Sequence, residues 1–288
     1  MSVADDSSKA IATNGVIFSY LDGGTGPAIV LLHGIGSGAR SWRTVLPILS
    51  RSFRVVAWDA PGYASSTPLP VEQPDASDYA ERLRLLVDAL GIDRFQVVGH
   101  SLGAITAARF ATLYPGRVTG LTLACPSTGH ARLAQEERDK LRNARLGDLA
   151  KLGPREMAKL RGPRLVSGQA SDEVRQSVVE TMALIRPDGY QQAVRLLSGA
   201  DTRGDLEQLP TTVPVQFIYG DEDVITPPAG TLALATARPD AAIHKIEGVG
   251  HALYLEKPEA FINRLAAFAR STEGATPDYA LSGLAAGQ

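Results

Sequence analysis

A serine held between two glycines, Gly99-His100-Ser101-Leu102-Gly103, stands where a short β-branched run gives way to a helical pattern, and no other stretch constrains the fold as tightly. Residues 96–98 read as a strand, and 104–114 combine helix formers with apolar residues at helical spacing. A chain that passes from strand to helix around one residue forces that residue into strained backbone. It also brings the two elements so close that side chains two positions either side of the turn would collide. Gly99 and Gly103 remove that collision. In a chain with 28 glycines, such a pattern carries weight only through its context.

Three further segments supply that context, in a fixed order. The apolar run 28–32, of the kind expected for a buried parallel strand, ends in His33-Gly34-Ile35-Gly36-Ser37-Gly38. A second such run, 215–219, ends in Gly220-Asp221-Glu222-Asp223-Val224-Ile225-Thr226-Pro227. Last comes the strand-like segment 243–246, followed by Gly248-Val249-Gly250-His251 and then by a helical pattern opening at Pro258. Serine, acid and histidine thus come in that chain order, each just past the carboxyl end of a strand. In this order the chain resembles the α/β-hydrolases, in which the serine occupies a nucleophile elbow. The similarity runs from about residue 15 to residue 270. It includes Asp59-Ala60-Pro61-Gly62-Tyr63-Ala64-Ser65, where Ala64 stands at a position usually held by glycine in such proteins.

With 288 residues and 44% hydrophobic content, the chain is long enough for one large α/β domain with an insertion. Segments 16–20, 28–32, 54–57, 96–98, 118–124, 215–219 and 243–246 read as strands, and 41–49, 77–90, 102–114, 229–237 and 258–270 as helices. The resemblance implies a mostly parallel eight-stranded sheet with helices on both faces. Between these core segments, 128–207 shows no strand pattern. Its apolar residues recur at helical spacing, interrupted at Gly153-Pro154, Gly162-Pro163 and Pro187-Asp188-Gly189, which predicts three to five helices. In the resembled superfamily such an insertion caps the active site. The expected division is therefore core 1–127, helical cap 128–207, core 208–270 and a loosely held tail 271–288 rich in small residues.

A formal net charge of −2 argues against a nucleic-acid partner. No apolar run approaches the ~20 residues of a membrane span. The single cysteine, Cys125, and an N-terminal stretch lacking a basic and apolar leader point to a soluble cytoplasmic protein. The expected partner is a small-molecule substrate, with no cofactor and no metal; oligomeric state is not legible.

A serine hydroxyl is a poor nucleophile at neutral pH and needs a base, which needs an acid to hold it. The resemblance implies Ser101, His251 and Asp223 for these roles, and the backbone N–H groups of Ile35 and Leu102 for the oxyanion hole. Asp221 and Glu222 rival Asp223 by adjacency, but the spacing before Val224-Ile225 matches at Asp223. Segment 124–127, the other place where relatives carry the acid, has no carboxylate. His33, His100, Trp42 and Tyr254 are candidate pocket residues, His33 as the organiser of the oxyanion loop. His130 is expected at the mouth of the cap and His244 within a strand. Asp59 reads as structural and Cys125 as a buried apolar residue. A serine at the elbow implies hydrolysis of an ester or lactone. The alternatives are carbon–carbon hydrolysis of a ring-cleavage product, whose enzymes usually carry tryptophan where this chain has Ala252, a small-molecule receptor, and haloperoxidase-like chemistry. Between 128 and 200 basic residues outnumber acidic ones, which suits either an anionic substrate or a solvated helical face.

Overall fold

The computed structural model describes residues 8–272; the predicted tail lies outside the described residues from 273 onward. Eight strands form one open sheet: β1 (Lys9–Thr13), β2 (Val16–Gly23), β3 (Ala28–Leu32), β4 (Arg54–Trp58), β5 (Phe95–His100), β6 (Val118–Ala124), β7 (Val215–Gly220) and β8 (Ala242–Ile246). Their order across the sheet is β1-β2-β4-β3-β5-β6-β7-β8. β1 and β2 run antiparallel to their neighbours, and all pairings from β4 onward are parallel.

The central strands are buried on both faces and mostly apolar, their buried polar residues Gln96 and Gln216 both donating to the Thr122 hydroxyl. On β3, Val30 and Leu32 enter one core with Val97, Leu121, Leu123 and Phe217, packed under α2 (Ala76–Ala89) and α3 (Leu102–Leu113). Ile29 and Leu31 point the other way, into a second core with Val55, Val98 and Ile218. That side is closed by α1 (Leu46–Leu49) and the C-terminal helix (Pro258–Thr272), through Phe261 and Leu265.

Two expectations are revised. β1 was not among the predicted strands, yet Asn14-Gly15, both at positive φ, forms a tight hairpin turn that folds it onto β2. The predicted helix 41–49 is instead a 3-10 turn (Ala39–Trp42) followed by the short α1. Pro47 has no N–H to extend a continuous helix across this stretch.

Between β6 and β7 the chain contributes no strand. It forms α4 (Gln135–Arg161), α5 (Asp172–Met182), α6 (Pro187–Gly199) and α7 (Thr202–Gln208), with a 3-10 turn (Gly162–Leu165) after α4. α4 is broken at Gly153, whose φ is 68°. After β7 come α8 (Pro228–Ala235) and, beyond β8, α9 (Leu253–Glu256), so the C-terminal helix is α10.

Candidate active site

Ser101 follows directly on β5 and serves as the N-cap of α3, at φ 55° and ψ −115°. This conformation is strained for a residue with a side chain, and it persists because both flanking elements are pinned. Ser101 N–H donates to the Ala124 carbonyl at 3.0 Å, and Ser127 N–H donates to the Ser101 carbonyl at 3.1 Å. A Cβ on Gly103 would lie 2.3 Å from the Leu32 carbonyl oxygen, and one on Gly99 2.4 Å from the Gly103 oxygen, so the turn closes only with glycine at both.

The acid and histidine arrive from the loops after β7 and β8. His251 Nδ1 and Asp223 Oδ2 are 2.8 Å apart, and both side chains are buried. Asp223 Oδ1 also accepts from the N–H groups of Ile225 (2.7 Å) and Thr226 (3.0 Å). Burial pulls the Asp223 carboxyl upward, but the bond and charge of His251 and these backbone donors outweigh it and hold it at about 2. It is therefore a permanent acceptor that fixes the proton of His251 on Nδ1 and leaves Nε2 to accept. Asp221 is turned away, accepting from Gly248 N–H at 2.6 Å, and Glu222 is exposed. Ser101 and His251 open on the same cavity. Among the described residues no hydrogen bond joins the Ser101 hydroxyl to His251; such contacts are often long in free enzymes and tighten with substrate.

The loop after β3 is held by the turn that contains Asp59. His33 Nε2 accepts from Ala60 N–H at 3.0 Å, which leaves the ring proton on Nδ1 to donate to the Gly34 carbonyl at 2.8 Å. Because a trans peptide points its C=O and N–H in opposite directions, anchoring the Gly34 carbonyl directs the Ile35 N–H away from His33. Tyr63 Oη donates to the Ile35 carbonyl at 2.7 Å, and Asp59 accepts from Ala39 N–H and from the Ser19 hydroxyl. Ile35 and Leu102 both line the cavity. Leu102 is the first residue of α3, so its N–H has no partner within the helix.

His100 lies against His251, with ring centroids 4.6 Å apart, and its Nε2–H donates to the His251 carbonyl at 2.9 Å. Burial, then the neighbouring His251 charge, press its pKa down to about 3, so it stays neutral and supports the histidine loop from below. His100 and Tyr254 line the cavity; His33 and Trp42, also expected there, do not. His33 is consumed by the bonds that shape the loop. Trp42 is fully buried against Tyr254, at 4.4 Å between centroids, because an indole of that size fills the second core. Cys125 is buried, and burial first, with the Asp223 charge behind it, drives its thiol well upward. A buried thiol held in its protonated form packs as a small apolar residue. His130 borders the cavity and His244 lies in β8.

Sequence reasoning missed two supports. The Thr226 hydroxyl lies 2.8 Å from Asp223 Oδ2 and 2.9 Å from the Cys125 carbonyl, tying the acid loop to the end of β6. Glu256 accepts from Gly250 N–H at 2.8 Å and from Ser167 N–H at 3.0 Å, joining the histidine loop to the inserted segment. Neither carries a motif. The cavity itself has a volume of about 320 Å³, and its far wall comes from the inserted segment, including Leu165, Val178, Met182 and Leu197.

A family model described as alpha/beta hydrolase fold matches residues 27–258. An uncharacterized protein of Mycobacterium tuberculosis, Rv2715, is 31% identical over 279 residues, spanning 89% of this chain and 79% of its own. The 2-hydroxy-6-oxononadienedioate/2-hydroxy-6-oxononatrienedioate hydrolase 1 of Dechloromonas aromatica is 29% identical over 263 residues, covering 85% of this chain and 88% of that protein. Among solved structures, a thermophilic esterase from Thermogutta terrifontis superimposes with a TM-score of 0.82 at 25% identity, covering 92% of this chain and 99% of that one. With the sheet order, the strained serine turn and the acid–histidine pair already in view, these matches assign the chain to the α/β-hydrolase fold family.

Proposed function

We propose that this hydrolase cleaves a small carboxylic ester or lactone through an acyl-enzyme formed on Ser101. Ser101 Oγ attacks the acyl carbon as His251 Nε2 takes its proton, while Asp223 holds the ring and stabilises the imidazolium. The oxygen that becomes negative meets the N–H groups of Leu102 and Ile35, whose orientation is set before substrate arrives. The tetrahedral intermediate collapses by expelling the alkoxide, which receives the proton from His251; in a lactone this group stays tethered to the acyl chain. Water then attacks the acyl carbon, gives its proton to His251, and the second collapse returns that proton to Ser101 and releases the carboxylic acid. The helices between β6 and β7 serve as a cap that shapes the pocket.

The observation that carries this reading is the buried 2.8 Å bond between His251 and Asp223 beside the strained Ser101, with Ile35 and Leu102 lining the same cavity. The esterase among the structural neighbours supports the bond type. Carbon–carbon hydrolysis of a ring-cleavage product is a second reading, favoured by the Dechloromonas relative. Against it stands Ala252, where such hydrolases are expected to carry tryptophan.

The test is intact mass after treatment with a small fluorophosphonate, on wild type and Ser101→Ala in parallel, followed by a panel of esters, lactones and vinylogous diketones. A single adduct on wild type and none on the variant is the expected result. An adduct on both, or on neither, overturns the assignment of Ser101.

A further inference from the structure

We propose that Arg145 and Arg164 form an anion subsite in the cavity, so that the molecule cleaved carries a negatively charged group, most simply a carboxylate, at a distance from its scissile bond. This inference rests on the hydrolase reading above and narrows its substrate class.

Arg145, Arg161 and Arg164 all line the cavity, and no aspartate or glutamate does. The acid of the site, Asp223, is buried behind His251 and shows no surface to the pocket. A cavity walled by one sign of charge and low-dielectric side chains concentrates counter-ions of the opposite sign.

Their surroundings separate these residues from an ordinary basic helix face. Arg132, Arg142, Arg186 and Arg203 of the same segment each face a carboxylate. Arg161 is held by Asp148, which ties the end of α4 back to its own earlier turns. Arg145 is half-buried and Arg164 exposed at the rim, and among the described residues neither has a hydrogen bond or ion pair. Both side chains therefore have donors open to an anion entering the cavity, where a charge-assisted hydrogen bond is stronger than a neutral one. The half-buried His130, on the loop after β6, faces Arg145. Burial, then this guanidinium, lowers its pKa against the opposing charge of Glu137, and the ring adds a polar group to this end of the cavity.

The rest of the wall completes the description. Leu165, Val178, Met182 and Leu197 give the same cavity an apolar stretch. The fitting ligand therefore has an acyl carbon at Ser101, an apolar body and an anionic end held by the two arginines. A guanidinium suits that end, since its planar donors match two carboxylate oxygens at once.

The test compares mono-4-nitrophenyl adipate with 4-nitrophenyl hexanoate, which share the acyl length and leaving group and differ in the terminal carboxylate. Wild type is expected to show kcat/KM at least tenfold higher for the adipate ester, with the ratio shrinking as salt rises. In Arg145→Gln/Arg164→Gln the ratio should fall at least tenfold. A wild-type ratio at or below one, or a ratio unchanged in the double variant, overturns the subsite. Calorimetric titration of wild type with adipate and with the neutral adipamide provides a readout independent of turnover. Adipate should bind at least tenfold tighter, and the double variant should lose that margin; equal affinities overturn the proposal. Fluorophosphonate labelling of Ser101 separates the two claims. A labelled enzyme without anion preference loses only the subsite, whereas an unlabelled protein that still prefers adipate loses only the hydrolase assignment.

Discussion

His33 offers a perturbation that splits loop geometry from loop stability. Its ring bridges two backbone groups, accepting from Ala60 N–H at 3.0 Å and donating to the Gly34 carbonyl at 2.8 Å. Only the second bond orients the Ile35 N–H. His33→Gln can place its amide oxygen near the former Nε2 and keep the Ala60 bond while giving up the donor to Gly34. His33→Asn can place its amide nitrogen near the former Nδ1 and do the reverse. In the Gln variant the Gly34 carbonyl retains only Ser37 N–H, at 3.2 Å. Loss of one oxyanion donor typically lowers kcat by about 10²–10³; the surviving Ser37 bond sets the expectation at the lower end, roughly 100-fold, or about 2.7 kcal/mol. KM should change little, because the hole engages the oxygen mainly once it is charged. In the Asn variant the rate should stay within about tenfold of wild type, while the orphaned, buried Ala60 N–H lowers stability by about 1–3 kcal/mol. Steady-state kinetics on a 4-nitrophenyl ester, the second-order rate of fluorophosphonate labelling and urea unfolding measure all three quantities. A Gln variant with wild-type rates, or an Asn variant slower than the Gln variant, refutes the role given to the Gly34 peptide.

Asp223→Asn should reduce kcat by about 10⁴, because an amide favours the wrong histidine tautomer, whereas Asp221→Asn should stay within about tenfold of wild type; steady-state kinetics on both decide which carboxylate serves His251. His100 is held neutral in the fold, with a pKa of about 3 against 6.5 when unfolded. The unfolded chain thus binds the extra proton, and stability present above pH 6.5 should drain away as pH falls toward 3, by up to about 1.4 kcal/mol per pH unit for this group. Urea midpoints between pH 7 and 4 should show that slope in wild type and a shallower one in His100→Gln. Asp223 acts in a lower window, its contribution being lost only as pH falls below its ordinary value of 3.8 toward about 2. Ala64 sits at φ 43°. Ala64→Gly should relieve about 1–2 kcal/mol of left-handed strain against about 0.4–1 kcal/mol of added unfolded-state entropy, leaving the urea midpoint equal or higher. A lower midpoint would contradict the strain at this turn.

The elements readable in advance were those whose local pattern matches their burial. β3, β5, β6 and β7 are rich in apolar, β-branched residues because helices cover both faces of the sheet, and the helical segments between β6 and β7 show their breaks as Gly-Pro and Pro-Asp-Gly. β1 escaped because its five residues mix lysine, alanine and threonine at an exposed edge, and only the Asn14-Gly15 turn betrays it. The pocket was less legible than the chemistry. His33 and Trp42 occupy promising sequence positions, yet one is spent on two backbone groups and the other fills a core.

Every strand but β1, the glycine-flanked serine turn and the residues eligible as nucleophile, base and acid were legible from the sequence alone. These depend on short-range rules: which residues tolerate a sharp turn, which runs can be buried, and where carboxylates and histidines follow a strand. It took the packed fold to show that Asp223 and not Asp221 meets His251, that Asp59, Ala60 and Tyr63 hold the loop after β3, and that Arg145 and Arg164 of the inserted segment line the cavity without an ion pair among the described residues. Those outcomes follow from contacts between residues tens of positions apart, where direction and distance are set by packing of the whole sheet and its inserted helices, and no local pattern encodes them.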